Sequence, residues 1–351
     1  MSENWPESIH VRRFSYAPRR WQTLAQGPGG VPAALRSSRK NYLLLPSFLV
    51  SYVLNMLIQS RKADLVLANW AVSGALAWCL SPVHRKTIIT VLRGSDAIVK
   101  QGAFVSKPVM LRVALKGSRA VVCVGKNLEK AIKNAVSSPE KVWCIPNGID
   151  EHFFQVPFPE PADATTIIFA GSLVADKGVD ILLKAVAKLG RPDLRLLIAG
   201  QGALEQELKN LAKRLGIEGQ VTFQGRVKPG RDMAFVMSRS HFLVLPSHHE
   251  GRPNVVLEAM AAGRPVIGTD IDGIRELVKE GETGFLFSEG DIEGLSGAMR
   301  KLADNPELLI RMGRAARQWV SDQHLTWENT AREYIGLFKE VMASRPKQRT
   351  T

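Results

Sequence analysis

Short apolar runs alternate with helical patterns along the second half of the chain. Apolar runs without interleaved polar positions are typical of strands buried on both faces, as in a parallel sheet covered by helices. They predict strands at Thr166–Ala170, Leu194–Ala199, Val221–Phe223, Phe242–Leu245, Pro265–Gly268 and Gly284–Phe287. Apolar positions three and four residues apart predict helices over Val179–Leu189 and Leu204–Leu215. This alternation indicates a doubly wound α/β domain.

The first half shows the same alternation in a weaker form. Its apolar runs predict four strands, at Asp64–Ala68, Thr87–Leu92, Ala120–Val124 and Val142–Ile145. Val156–Ala164 is rich in proline and lacks periodicity, which is typical of an interdomain linker. We therefore expect an N-terminal domain over 1–157, a C-terminal domain over 158–323, a helix within 324–343 (Trp327–Met342) that packs back toward the N-terminal domain, and a disordered tail over 344–351.

The charge of the chain is placed unevenly. The formal net charge is +14, and residues 1–150 hold 21 Lys and Arg against 7 Asp and Glu, whereas residues 151–351 hold 26 of each kind. This excess indicates an anionic partner, such as a membrane surface or a phosphorylated substrate, or a solvated surface that aids solubility. No known nucleic-acid-binding motif occurs in the sequence, so nucleic acid is not favoured. Three cysteines without a CxxC pair, and an N-terminus without the apolar core of a signal peptide, favour a cytoplasmic protein.

One apolar segment, Asn41–Ser60, carries no charged residue. Its length approaches the roughly 20 residues needed to cross a bilayer. Pro46, Asn55 and Gln59 interrupt it, so a buried helix or a helix on a membrane surface is favoured over a span. The segment is flanked by five cations: Arg36, Arg39, Lys40, Arg61 and Lys62.

Loops that contain glycine and charged side chains follow the predicted strands of the second half. The carboxyl ends of parallel strands meet at one edge of a sheet, so these loops are expected to form one site. Its candidates are Gly171, Ser172, Lys177, Arg226, Glu250, Gly251, Arg252, Asn254, Val255 and Glu258. Glycines and helix N-termini can approach a diphosphate and cations can neutralise it, while two acids can accept hydrogen bonds from sugar hydroxyls. The sequence thus indicates a sugar nucleotide.

Three short patterns receive simpler interpretations. Gly200-Gln201-Gly202 lacks the third glycine of a dinucleotide fingerprint and predicts a turn. Asp270-Ile271-Asp272 has the form of a metal-binding DxD triplet but is expected only to end a strand. His248 and His249 have no partners at metal-ligand spacing, so solvated histidines and no metal cofactor are expected.

The second half resembles glycosyltransferase family 4, retaining enzymes with the GT-B fold. The matching runs, within residues 142–320, are CIPNGID, FAGSLVADKGVDILLKAV, LLIAGQGALEQEL, VTFQGRV and FLVLPSHHEGRPNVVLEAMAAGRPVIGTDIDGIRELVKEGETGFLF. The most specific element is the E-x7-E pair, Glu250 and Glu258. The resemblance implies an α/β protein of two doubly wound Rossmann-like domains that face each other across a cleft.

The resemblance also implies roles in the donor site. Glu258 would hold the donor ribose hydroxyls, and Glu250 would contact the donor sugar near its reacting centre. Lys177 would bind the diphosphate and stabilise the departing nucleotide, so Glu250 and Lys177 are the catalytic candidates. Backbone around Gly251, Asn254 and Val255 would face the sugar and phosphates, and the family usually requires no metal.

Asn147 and Gly148 would lie at the turn into the hinge.

On the acceptor side, the run TVLRGSD places Arg93 and Asp96 in a loop that would face the donor across the cleft. Arg93 would contact phosphate there or pair with Asp96 on the surface.

The chain departs from the family at three places. Ser172 stands where many relatives have Arg, so Arg226 or Arg252 would have to complete the phosphate clamp. Arg93 stands where many relatives have His. Relatives open with a strand followed by a Gly-Gly loop, but no apolar run precedes Gly29-Gly30, so a shortened N-terminal domain is expected.

These observations favour a retaining glycosyltransferase that moves sugar from a nucleotide-sugar donor, with UDP as the favoured nucleotide, to a glycan or lipid-linked acceptor. It would be cytoplasmic, with a peripheral position on the inner membrane face as a further expectation from the basic N-terminal domain. The alternatives are a catalytically impaired sugar-nucleotide-binding subunit that needs a partner, and a nucleotide-sugar epimerase. Glu258→Ala is expected to weaken nucleotide binding.

Overall fold

The computed structural model describes residues 9–24, 31, 34–35, 38–94, 99–100, 103–104, 109–160 and 164–344. Its contacts divide the chain into two compact units, which we call unit 1 (Met1–Val66 and Cys79–Lys86) and unit 2 (Leu67–Trp78 and Thr87–Thr351). Both parallel sheets belong to unit 2, apart from the first two residues of the first strand. The predicted domain boundaries are not tested by this division and stay predictions.

The strands of the described chain are β1 (Leu65–Asn69), β2 (Thr87–Leu92), β3 (Val99–Lys100), β4 (Ala103–Phe104), β5 (Ala120–Cys123), β6 (Val142–Cys144), β7 (Thr165–Ala170), β8 (Leu194–Ala199), β9 (Val221–Gly225), β10 (Phe242–Leu245), β11 (Val266–Thr269) and β12 (Gly284–Phe287). The α-helices are α1 (Leu45–Ser60), α2 (Ala71–Cys79), α3 (Ser81–His84), α4 (Val109–Gly117), α5 (Lys126–Lys133), α6 (Glu151–Phe154), α7 (Val179–Leu189), α8 (Glu205–Arg214), α9 (Arg231–Ser238), α10 (Asn254–Ala261), α11 (Asp272–Arg275), α12 (Ile292–Ala303), α13 (Pro306–Asp322) and α14 (Trp327–Ala343).

Six strands of the second half form one parallel sheet in the order β12-β11-β10-β7-β8-β9. β7 pairs with β8 from Thr165 opposite Leu194 to Ala170 opposite Ala199, and on its other side with β10, where Ile168 lies opposite Leu243. The first-half sheet has the order β1-β2-β5-β6, and β5 runs parallel to both of its neighbours. Two Rossmann-like sheets were predicted, and the structure confirms them.

The apolar pattern explains where the elements begin and end. Every residue of β10 is buried, as expected for an inner strand covered on both faces. α7 lies between Gly178 and Gly190, whose left-handed φ angles of 60° and 63° suit glycine. The predicted bounds of β2, β8, β10, β12 and α7 are confirmed, and the other predicted elements differ by one or two residues at their ends.

The core of the second half also contains a fully buried cation, Arg264. Its guanidinium donates hydrogen bonds to the carbonyl oxygens of Ser238, Ser240, Ala262 and Pro157. Burial lowers the pKa of Arg264 to about 10. One planar guanidinium binds all four carbonyl groups. It therefore links the proline-rich segment before β7, through Pro157, to the rest of the second half.

Candidate active site

The strand order of the second sheet changes direction between β7 and β10. From β7 the chain proceeds outward to β8 and β9, then returns to β10 on the other side of β7 and continues to β11 and β12. In open α/β sheets the loops on either side of such a switch point diverge and leave a crevice at the carboxyl ends of the strands. Lys177 follows β7 and Glu250 follows β10, so the candidates stand on opposite sides of this crevice.

The loop after β7 is shaped so that it approaches the loop after β10. A single 3-10 turn over Ala175–Lys177 ends at Gly178, where a β-carbon would lie 2.2 Å from the carbonyl oxygen of Pro246. The amide of His248 donates to the carbonyl oxygen of Asp176 at 2.9 Å. Any side chain at position 178 would separate the two loops, so the glycine allows the close approach on which the site depends.

This approach brings the two catalytic candidates into direct contact. Lys177 Nζ lies 2.5 Å from Glu250 Oε1, and the side chains are only 24% and 11% exposed. The hydroxyl of Ser247 donates to the same Glu250 oxygen at 2.8 Å. A partly buried ion pair with an additional hydrogen bond from a hydroxyl is oriented more firmly than a surface pair, because fewer water molecules compete for its atoms. Sequence reasoning had not singled out Ser247, three residues before Glu250.

Glu258 occupies a different environment, on α10. Its side chain is partly buried, and in the described part of the chain no hydrogen bond or ion pair to its carboxylate is seen. Burial, reinforced by the negative charge of Asp150, raises the pKa of Glu258 to about 7. A partly buried carboxylate without a described protein partner can accept hydrogen bonds from the hydroxyl groups of a ligand.

The glycine loops after β7 and β8 pack on each other. A β-carbon at Gly200 would lie 1.8 Å from the carbonyl oxygen of Gly171, and one at Gly202 would lie 2.2 Å from that of Leu173. The Gly-Gln-Gly run is therefore a close-packed loop beside Ser172, and the turn predicted for it lies just after it, at residues 203–204. Ser172 is partly buried at the end of β7.

Arg226 follows the edge strand β9 and is exposed. Two strands, β8 and β7, lie between β9 and β10 in the sheet and separate Arg226 from the β10 side of the crevice. No described contact joins Arg226 to Lys177 or Glu250, so its expected share in the phosphate clamp stays a prediction.

The first sheet reaches this site through the loop after β2. Gly94 has a left-handed φ of 94°, and a β-carbon there would lie 2.3 Å from the α-carbon of Gly251. Arg93 donates from Nε and one terminal nitrogen to Asn69 Oδ1, at 3.1 and 2.9 Å. The acceptor-side loop thus touches the Glu250–Gly251 segment directly. Asp96 lies outside the described residues.

Glu276 makes a second contact between the two halves of the chain, and Arg252 lies beside it. Arg252 is nearly buried, and its Nε lies 3.6 Å from Glu276 Oε1. Burial lowers the pKa of Arg252, although the charge of Glu276 opposes that shift. The Glu276 carboxylate also accepts from the amides of Lys126 and Asn127, at 2.9 and 3.1 Å, at the start of α5. A carboxylate at a helix N-terminus satisfies free amides and complements the helix dipole.

Asn147 and Gly148 lie in the segment that links the first sheet to the second, and this segment contacts the beginnings of α10 and α14. Asn147 Nδ2 donates to Asn254 Oδ1 at 3.1 Å, and a β-carbon at Gly148 would lie 2.3 Å from the amide nitrogen of Trp327. No side chain caps α10 at its N-terminus. Val255 is partly buried and packs against the core.

His248 and Asp270, from the two remaining sequence motifs, form contacts with charged residues of the protein. His248 Nδ1 lies 2.8 Å from Glu289 Oε1. Asp270 follows the end of β11, as predicted, and accepts from Arg275 Nε at 2.6 Å. Within the described residues no group of three potential metal ligands occurs.

Comparisons with known proteins agree with this architecture. Residues 150–319 match the family described as "Glycosyl transferases group 1", and residues 9–153 match "Glycosyltransferase Family 4". An uncharacterised glycosyltransferase of Haemophilus influenzae is 38% identical over 175 residues, which is 49% of this chain and 48% of that protein. The D-inositol 3-phosphate glycosyltransferase of Saccharomonospora viridis is 28% identical over 313 residues, which is 80% of this chain and 71% of that protein.

Among solved structures, that of Anabaena HepE in complex with UDP is similar with a TM-score of 0.69 at 21% identity, over 82% of each chain. The two parallel Rossmann-like sheets, with the candidate site at the switch point of the second, have the GT-B fold. The chain belongs to glycosyltransferase family 4, whose two characteristic regions it carries in order.

Proposed function

We propose that the protein transfers a sugar, with retention of anomeric configuration, from a nucleotide-sugar donor to a glycan or lipid-linked acceptor. The observation that carries the proposal is the Lys177–Glu250 ion pair at the switch-point crevice, with the carboxylate of Glu258, which has no partner among the described residues, on the adjoining helix. UDP is the proposed nucleotide, and it is supported by the HepE structure, which contains UDP.

In the proposed reaction the bond between the anomeric carbon and the β-phosphate oxygen breaks, and a bond to the acceptor oxygen forms on the same face of the sugar. The proton of the acceptor hydroxyl passes to the departing phosphate oxygen, so no separate protein base is required. Lys177 would stabilise the negative charge that develops on the phosphate, which is the kind of interaction that lowers a transition-state energy most. No step calls for a metal.

Glu250 would have two functions in this reaction. In the free protein it holds Lys177 Nζ at 2.5 Å, together with the hydroxyl of Ser247. In the complex, its second oxygen would orient hydroxyls of the donor sugar. Glu258 would accept from the ribose hydroxyls, a contact that fixes the nucleotide but does not change during transfer, and therefore contributes to binding more than to turnover.

The test is a paired measurement on the full chain. Calorimetry with UDP and GDP gives nucleotide affinity, and incubation with a radiolabelled UDP-glucose and a bacterial lipid extract gives transfer. We expect UDP to bind and label to enter the lipid or glycan fraction in the α configuration. UDP binding without transfer, in the presence of a broad acceptor extract, would favour a binding subunit, and conversion of the donor sugar without an acceptor would favour an epimerase.

A further inference from the structure

The helix α1 in unit 1 presents its apolar side to solvent. Val50, Leu54 and Ile58 recur every four residues and so lie on one face of the helix. Each keeps more than half of its surface exposed, as do Tyr42 and Leu43 in the 3-10 turn that leads into the helix. Contiguous exposed apolar residues of this kind mark an interaction surface rather than chance exposure. We call these five residues the apolar stripe.

The other side of α1 faces the rest of unit 1 and carries aromatic residues. Phe48 packs on Phe14 and Tyr16, with ring centroids 5.4 and 5.1 Å apart, and Tyr52 lies 5.8 Å from Phe14. Asn41 is buried before the helix and donates to the carbonyl oxygen of Ala34. An ordinary surface helix has an apolar face only on its inward side, whereas α1 is apolar on both sides.

Cations bracket the stripe at both ends. Arg39 and Lys40 precede it, Arg61 and Lys62 follow it, and all four are exposed. The described residues of unit 1 contain one acid, Asp64, against ten cations: Arg12, Arg13, Arg19, Arg20, Arg39, Lys40, Arg61, Lys62, Arg85 and Lys86. An apolar stripe inside a strongly positive unit complements a surface that is anionic outside and apolar beneath.

We propose that α1 docks the protein on the surface of an anionic lipid bilayer, with the apolar stripe in the acyl boundary and the flanking cations at the headgroups. The segment Arg39–Ser60 has 22 residues and is apolar enough to cross a membrane by length and composition. Its inward side, however, is engaged with the aromatic rings of Phe14 and Tyr16. The α-helical part has 16 residues, or roughly 24 Å, which is shorter than a hydrocarbon core of about 30 Å.

A second copy of the chain fits this surface less well. Two copies that met through the stripe would bring two strongly positive units together, and like charges within one Debye length repel. An anionic bilayer attracts each cation near its surface instead. The choice of lipid over self-association therefore rests on the charge of unit 1.

The test is flotation of the full chain with vesicles at low and high salt. One vesicle is pure phosphatidylcholine and the other contains about one third phosphatidylglycerol. We expect binding to the anionic vesicle at low salt, weakened by 0.5 M salt, and little binding to the neutral vesicle. The double variant Val50→Asp/Leu54→Asp is expected to lower the partition coefficient by at least about tenfold, because the apolar insertion is lost.

Two matched controls separate docking from general effects. Phe235→Asp/Ile335→Asp changes exposed apolar residues of unit 2, and is expected to bind vesicles as the wild type does. Arg61→Glu/Lys62→Glu is expected to lower anionic binding at least about tenfold, whereas Lys213→Glu/Arg214→Glu, an adjacent exposed pair on α8, is expected to have a far smaller effect.

Several results would overturn the proposal. These are absence of binding to anionic vesicles at low salt, equal binding to both vesicles, and binding that survives the α1 substitutions. Extraction that requires detergent would show a span, and loss of a dimer in the α1 variant by light scattering would show that a second copy covers the stripe. The inference is independent of the proposed reaction, since UDP affinity is measured on the same samples and tests that reaction separately.

Discussion

The titration of Glu258 gives a quantitative test of the site. The carboxylate that is proposed to bind the ribose also makes the free energy of unfolding depend on pH. The folded protein raises the pKa of this carboxyl from 4.5 to about 7 through burial and the charge of Asp150. Between these values the native state holds a proton that the unfolded state releases. The free energy of unfolding therefore falls as the pH rises from about 4.5 to about 7 and stays low above that range.

The magnitude follows from the size of the shift. One pKa unit corresponds to about 1.4 kcal/mol, so a shift of this size costs the folded state up to about 3 kcal/mol at pH 8. Glu258→Gln has the same shape and does not titrate. Relative to the wild type, its free energy of unfolding is expected to rise by up to about 3 kcal/mol between pH 5 and pH 8.

Urea unfolding of both proteins at pH 5, 6, 7 and 8, without nucleotide, measures this difference. The exposed Glu333→Gln is the matched control, and its difference from the wild type is expected to be flat. The same Glu258→Gln variant is expected to bind UDP less tightly at pH 8, because an amide is a weaker acceptor than a carboxylate for ribose hydroxyls. A stability difference that does not change with pH would refute the assigned burial of the carboxylate.

Three further predictions concern the ion pair, the contact between the sheets and the buried cation. Lys177→Ala is expected to lower kcat by about 10²-fold or more with a smaller change in UDP affinity, and wild-type turnover would contradict its role at the leaving group. Glu276→Gln is expected to destabilise the protein by about 1–3 kcal/mol in urea unfolding, because it weakens the charge-assisted hydrogen bonds from the amides at the start of α5. An unchanged midpoint would show that this contact is not formed in solution. Arg264→Leu is expected to destabilise the protein by about 3 kcal/mol or more in urea unfolding, since buried carbonyl groups lose their donor. The exposed Arg239→Leu is expected to stay near wild type, and equal midpoints for the two variants would contradict the burial argument.

Much of the second half could be predicted from its sequence. Apolar runs such as Phe242–Leu245 have only one stable placement, between two layers of helices, and Gly178 and Gly190 mark both ends of a helix. The positions of Lys177 and Glu250 at one sheet edge followed from parallel strand order alone.

Contacts between distant segments could not be read in the same way. Glu276 reaches the amides of Lys126 and Asn127 across about 150 positions of sequence, and neither residue type nor spacing signals that partnership. The direct contact of Lys177 with Glu250 depends on the backbone approach at Gly178, and sequence reasoning had assigned these side chains to ligand groups only. The sequence left α1 as either a buried helix or a helix on a membrane surface, because all its faces carry apolar residues and the pattern does not say which face points outward.

The central claim is that a nucleoside diphosphate binds at the carboxyl ends of β7 and β10. A crystal structure of the protein with UDP tests it most directly. We predict pyrophosphate oxygens within about 3 Å of Lys177 Nζ and ribose hydroxyls at hydrogen-bond distance from Glu258. UDP bound elsewhere, with the Lys177–Glu250 pair unchanged and Glu258 facing no ligand, would contradict the account.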